Sequence, residues 1–320
     1  MILLSPFLLS IFIVEIIILT LFSISLYWAI KISLDFDLNN TSTYQYNLAN
    51  SGYLVAIIIT FTLSVKLGIF LYFIFSLDAL SSIVPGAMCA AGILSGSDFG
   101  VFMLGLKIIN LFLLSGWLLI NHYDLKSPIS KYMKLKFILF QPLFFLLVLE
   151  FILSLAHFSQ ISTQTPVACC SVIFSQNEIN SLPFYQTKTF ILSMFALSFI
   201  LYSIFALLKK PIPFGILSIA NSLIVIYAII RFFSPYIYQL PTHLCPFCML
   251  QKEYFYIGYP IYLLIFMTIL SGWFALILFF LKKPAKNALF KLGLIANCIL
   301  FALLISYPII YYFSNGVFLN

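Results

Sequence analysis

The stretch from Lys136 to His157 reads KFILFQPLFFLLVLEFILSLAH, 22 residues in which Glu150 is the one charge between the two ends. A helix of that length, rising about 1.5 Å per residue, crosses the roughly 30 Å of hydrocarbon in a bilayer. A helix is required, because every backbone N–H and C=O in lipid must be paired within the segment. Working outward, seven more apolar runs of similar length fall at about 5–30, 53–77, 100–120, 189–208, 213–232, 254–281 and 289–312. The expectation is an all-α integral membrane protein, a polytopic bundle of about eight transmembrane helices. No linker suggests a soluble domain, so residues 1–320 read as a single transmembrane helical domain. The first run lacks a basic leader and a small-residue cleavage site, and reads as a retained helix.

Composition agrees. The chain is 63% hydrophobic and 8% charged, with a mean hydropathy of +1.13, too apolar for any water-soluble fold. The net charge of +7 does not make it a nucleic-acid binder, because sixteen Lys and Arg scattered among lipid-compatible runs form no basic face. Its partner is the lipid membrane, and the charge encodes topology. Lys126, Lys131, Lys134 and Lys136 lie between the third and fourth spans, Lys209 and Lys210 between the fifth and sixth, and Lys282, Lys283, Lys286 and Lys291 between or beside the last two. By the positive-inside rule these alternate loops face the cytoplasm, which puts both termini outside. The connection from Ile32 to Ser51 must then be inside, where Lys31 supports it and Asp35 and Asp37 do not.

The long outer connections, 78–99, 158–187 and 233–253, hold five of the six cysteines: Cys89 in the first, Cys169 and Cys170 in the second, Cys245 and Cys248 in the third. Cys298 lies within the last span and reads as a small core residue. Thiols on the oxidising face of a bacterial-type inner membrane are able to form and exchange disulfides. Each outer connection carries Pro-x(2 or 3)-Cys, with Pro85, Pro166 and Pro241 as the prolines. Ser159, Gln164, Pro166 and Cys169 also parallel Ser234, Gln239, Pro241 and Cys245, which hints at duplication of a helix hairpin.

The strongest motif is Cys245-Pro246-Phe247-Cys248-Met249-Leu250-Gln251-Lys252, where the seventh span begins. Pro246 suits a first helical turn, so Cys245 is expected at a helix N-terminus, whose partial positive charge stabilises a thiolate. Lys252, four residues after Cys248, is then expected on the same face. This stretch resembles the DsbB family of membrane thiol oxidases, whose hallmark is Cys-x-x-Cys-x-x-(Gln or Glu)-Arg at the outer end of a transmembrane helix. Cys245, Cys248 and Gln251 match, and Lys252 stands in the place of the family's Arg. The resemblance covers about eight residues. It implies that Cys245 and Cys248 pass electrons to a membrane quinone beside Gln251 and Lys252. It also implies that a second outer pair, here Cys169 and Cys170, takes electrons from a soluble, thioredoxin-like partner on the outer side. The vitamin K epoxide reductase family, another helical bundle with Cys-x-x-Cys at a helix start, is a second resemblance.

Adjacent Cα atoms lie about 3.8 Å apart, below the usual disulfide range of about 4.4–6.8 Å, so a Cys169–Cys170 bond is strained and easily reduced. Either cysteine is equally able to pair with Cys89, Cys245 or Cys248. Three readings of the five outer cysteines therefore stand: thiol–disulfide oxidoreductase, soft-metal (Cu, Zn or Hg) binding or transport with His243, Met88 and Met249 as further ligands, and bracing disulfides in a non-catalytic subunit.

Four ionisable residues sit inside spans. Counted at about 1.5 Å per residue from the outer ends, Glu15 is about 15 Å deep and Lys66 about 17 Å, with Lys107 and Glu150 each about 11 Å. Charges in lipid are costly unless paired or functional, so Glu15 is expected to pair with Lys66 and Lys107 with Glu150. Such pairs fix helix register, and Glu150 is the alternative candidate for a proton route.

Overall fold

A computed structural model describes residues 2–37, 40, 42–127, 130–162, 164–174, 185 and 187–319. Eight helices are long and apolar enough to cross a membrane: Pro6–Asp35, Thr43–Ser81, Gly100–Leu125, Met133–Gln160, Lys188–Leu207, Pro211–Tyr238, Gly258–Phe280 and Asn287–Asn315. No strand occurs among the described residues. The chain is an all-α, multi-pass membrane protein. Its contacts divide it into two compact units, Met1–Val167 and Ala168–Asn320, where the sequence reads as one domain.

The first unit contains α1 (Pro6–Asp35), α2 (Thr43–Ser81), the short α3 (Ala90–Leu94), α4 (Gly100–Leu125) and α5 (Met133–Gln160). Its four long helices run up and down; α1 packs on α2, α4 on α5, and α5 closes on α1. Pro6 opens α1 at a position where its missing N–H costs nothing, and Ser5 caps it by accepting from Leu8 N–H. Helix takes up residues 32–35 and 43–51 of the connection expected over 32–51, because α1 runs on to Asp35 and α2 begins at Thr43. Gln45 holds that turn closed, donating to Asp35 C=O at 2.7 Å and accepting from Asp37 N–H at 3.1 Å. At 39 residues, α2 measures about 58 Å. At the other end, Val167 N–H donates to Pro85 C=O at 2.9 Å. Gly86, at φ +82°, lies so close to the Val167 carbonyl that a side chain would collide with it.

The packing is inside-out relative to a soluble bundle. Ile13, Phe61 and Phe102 face outward, while all four intramembrane charges are buried. Lys136, counted above among the loop cations, is one of the largest fully buried side chains. Its ammonium pairs with Asp124 at 2.8 Å and donates to Asn121 Oδ1 at 2.9 Å. It is a helix–helix tie rather than a topology signal, and that role passes to the exposed Lys126, Lys131 and Lys134.

The second unit contains α6 (Cys170–Ile173), α7 (Lys188–Leu207), α8 (Pro211–Ala228), α9 (Ser234–Tyr238), α10 (Gly258–Phe280) and α11 (Asn287–Asn315). The order α7, α8, α10, α11 repeats the cyclic up-and-down layout of the first unit. Of the second outer connection, residues 163, 175–184 and 186 lie outside the described residues, which resume fully at Thr187. Small residues let these helices approach closely. A Cβ at Gly272 of α10 would collide with Ser218 of α8, and one at Gly293 of α11 with Ser271 and Tyr202. Cys298, expected in the core, is exposed on the outer face of α11.

Within this unit the lysine-bearing α7–α8 and α10–α11 turns lie at one end of the bundle and the Cys245–Cys248 connection at the other, as an up-and-down topology requires.

Candidate functional site: a buried thiol cluster

The site begins with an interruption in the sixth span. Pro235 lacks the N–H that would bond Arg231 C=O, and its ring presses on that carbonyl. The helix answers with a π-turn over Ile229–Phe233 and then resumes as α9. Gln239, at φ 56°, ends it. This leaves Tyr238 buried, with its hydroxyl reaching the chain that follows. It donates to Cys245 C=O at 2.5 Å and accepts from Met249 N–H at 2.9 Å. From the other side, Tyr262 of α10 donates to Pro246 C=O at 2.6 Å.

Those two hydroxyls overturn one expectation. Cys245 and Cys248 are not on the first turn of the seventh span, which begins only at Gly258. Pro246 C=O, which would start an α-helical hydrogen-bond series, is taken by Tyr262, and Met249 N–H by Tyr238. The segment folds instead as two 3-10 turns, Cys248–Leu250 and Lys252–Tyr254, separated by an extended Gln251. The helix-dipole argument for Cys245 therefore falls. So does the shared helical face of Cys248 and Lys252: Gln251 is half-buried and Lys252 is exposed. Phe247 N–H, pointing at Cys245 Sγ at 3.4 Å, supplies a local donor to that sulfur instead.

Cys245 and Cys248 are both buried, and a third sulfur joins them. Cys170 opens α6 and is fully buried, with its Sγ 3.8 Å from Cys248 Sγ. The sulfurs of Cys170, Cys245 and Cys248 all lie within 4.8 Å of one another. A disulfide is about 2.05 Å long, so 3.8 Å is a thiol–thiol contact. Cys169, the neighbour of Cys170, is partly exposed. The adjacent pair thus presents one thiol toward the surface and one to the interior. Cys89, in the first unit, is buried at the residue before α3.

Aromatic rings wall the connection. Tyr238 packs edge-to-face on His243 and on Tyr254, each at 4.5 Å between centroids. Burial pushes the Tyr254 hydroxyl above its ordinary pKa, and negative charge on the nearby Cys248 adds to the effect. Tyr256 and Tyr259 lie with ring centroids 6.2 Å apart. Phe255 and Tyr256 both take positive φ, 54° and 55°, in the turn that enters α10, and Phe255 is 92% exposed. Tyr238 and Tyr262 were missed in the sequence because nothing in their spacing links them to the cysteines.

Two chemistries suit three converging thiols. Any two form a disulfide while the third stands ready to attack it, which is the geometry of exchange. Alternatively, thiolates at about 2.3 Å from a tetrahedral metal lie about 3.8 Å apart, the separation seen for Cys170 and Cys248. No family model, curated protein or solved structure matches the chain.

Proposed function

We propose that the protein is a membrane thiol–disulfide oxidoreductase whose reacting groups are Cys169, Cys170, Cys245 and Cys248. The observation that carries this reading is the 3.8 Å contact of Cys170 with Cys248, combined with the exposure of Cys169 beside it. Cys169 is the entry thiol, exchanging with the dithiol of a soluble thioredoxin-like partner. With the Cys245–Cys248 disulfide formed at the quinone, Cys170 attacks Cys248 and frees Cys245 as a thiol, and Cys169 then attacks Cys170 and frees Cys248, so the disulfide moves outward to the dithiol of the partner.

The acceptor is a membrane quinone. Two thiols lose two electrons and two protons to form one disulfide, and the quinone gains both to become quinol. Gln251 and Lys252 are its proposed neighbours, with Tyr256 and Tyr259 as the nearby aromatic rings. The alternation of lysine turns and cysteine connections along the chain supports an outward-facing site in the inner membrane.

A second reading is favoured by the same distance: Cys170, Cys245 and Cys248 as ligands of a soft cation such as Cu(I) or Zn. One experiment separates the two. The protein is purified, its metal content measured, and its thiols counted before and after addition of a quinone. The redox reading expects loss of two thiols per chain and a Cys245–Cys248 disulfide by mass spectrometry. Bound metal with thiols indifferent to quinone supports the metal reading and removes the first.

A further inference from the structure

The first unit holds a second constellation, unrelated to the thiols. Glu15 of α1, Lys66 of α2, Lys107 of α4 and Glu150 of α5 contribute one charge from each long helix and meet at one point. The two expected pairs are present, Lys66–Glu15 at 3.3 Å and Lys107–Glu150 at 2.9 Å. Two more cross them, Lys66–Glu150 at 2.7 Å and Lys107–Glu15 at 2.7 Å. Two ammoniums and two carboxylates sum to zero charge. A register lock needs no more than this.

The carboxylates, however, are not equivalent. Both lysines donate to Oε1 of each glutamate. Glu150 has its second oxygen filled as well, since Asn110 Nδ2 donates to Oε2 at 2.6 Å. Glu15 Oε2 is buried with no hydrogen-bond partner among the described residues. An orphaned carboxylate oxygen in lipid is expensive. Beside it lies a cavity of about 10 Å3, lined by Glu15, Lys66, Phe70, Phe73, Lys107 and Glu150, at the lower limit of what admits one water. Phe73 closes one wall, its ring 4.8 Å from the Lys107 ammonium. Lys66 is the least buried of the four charges, at 9% exposure against 3% for Glu15 and 0% for Glu150.

We propose that this cluster is a proton-binding site in the membrane interior, with Glu15 Oε2 as the acceptor. A hydronium ion arriving through the cavity gives its proton to Oε2 and leaves as water. The cluster passes from neutral to a single positive charge, and release reverses the step. Both lysines keep their hydrogen bonds to Oε1, so no helix contact must break. At Glu150 the same step would displace Asn110, so Glu15 protonates first. Lys66, Lys107 and Glu150 are the charged groups facing Glu15 from the other long helices of the unit, and they set how readily it does so.

The test uses the full chain in lipid nanodiscs, carrying Glu178→Gln and Glu253→Gln so that Glu15 and Glu150 are the remaining glutamates, and labelled with 13C at the glutamate carboxyls. Infrared difference spectra on acidification from neutral pH should show a labelled carboxylic-acid carbonyl band equal to one proton per chain. The band should shift in D2O, persist in Glu150→Gln and vanish in Glu15→Gln. A band that survives Glu15→Gln overturns the proposal. So does a band that is absent before any further substitution, or one that does not respond to D2O, neither of which depends on Glu15→Gln folding.

Discussion

Tyr238 and Cys245 are joined by a 2.5 Å hydrogen bond from the phenol to the cysteine's own carbonyl, and the same phenol oxygen accepts from Met249 N–H. One hydroxyl thus spans both cysteines of the pair. Tyr238→Phe leaves a buried C=O and a buried N–H without their partner, a loss of roughly 1–3 kcal/mol. The expected outcome is a lower unfolding temperature in detergent and faster alkylation of Cys245 and Cys248 in membranes. Alkylation rates equal to those of the parent would show that the hydroxyl does not hold the segment.

Cys169 and Cys170 differ in access despite being neighbours, one partly exposed and one at 0%. A membrane-impermeant maleimide should label Cys169 at least tenfold faster than Cys170, judged by peptide mapping. Cys169→Ser should abolish exchange with a soluble dithiol while sparing the quinone-driven Cys245–Cys248 bond. Equal labelling of both would remove Cys169 as the entry thiol.

Lys136 and Asp124 form a fully buried pair. Removing one partner strands the other charge, at a cost of about 3–5 kcal/mol, whereas replacing both with apolar residues is often neutral. Lys136→Met should therefore sharply reduce the yield of folded protein, and Lys136→Met with Asp124→Leu should restore much of it. Size-exclusion profiles of the two variants decide the matter.

Gly272 and Ser218 meet where α8 and α10 touch. Gly272→Ala forces a methyl group against the serine and should destabilise by about 1–3 kcal/mol. Adding Ser218→Gly vacates that space and should recover part of the loss. Thermal unfolding of the single and double variants reads this coupling directly.

The Tyr254 phenol is raised above its ordinary pKa by burial, and further by a thiolate at Cys248. Its pKa in the folded protein is raised, so whatever stability this contributes is complete below the unfolded value, about 10, and is lost as pH climbs through the higher folded value. Phenolate absorbance should show one fewer late-titrating tyrosine in Tyr254→Phe and an earlier titration of that tyrosine in Cys248→Ala. A titration unchanged by both substitutions would contradict the assignment.

The spans were legible because apolar runs in a bilayer have a length to meet, and their ends fall within several residues of the helices, apart from α2, which starts ten residues early. Depth counting found the Glu15–Lys66 and Lys107–Glu150 pairs. It missed the two crossing pairs, since counting from span ends set one pair at about 15–17 Å and the other at about 11 Å, whereas all four charges meet at one point. Lys136 was read as a loop cation because a lysine at a span's edge looks the same in sequence whether it faces water or an aspartate. The Cys-x-x-Cys spacing picked out two residues whose sulfurs lie in the buried cluster and suggested the wrong local shape. What decided that shape were hydroxyls 7 and 16 residues away, and long-range capture of a carbonyl leaves no local pattern. Cys170 was named as a candidate, but its selection over Cys169 as the neighbour of Cys248 required coordinates.

The contrast in length between α2 and α7 has a physiological consequence. At 39 residues α2 exceeds a bilayer by a wide margin, whereas α7, at 20 residues and about 30 Å, matches the hydrocarbon with nothing to spare. A long helix tilts or slides when lipid thickens, but a minimal one must drag its ends or thin the bilayer around it. Acyl-chain length is thus a variable that α7 meets with far less slack than α2.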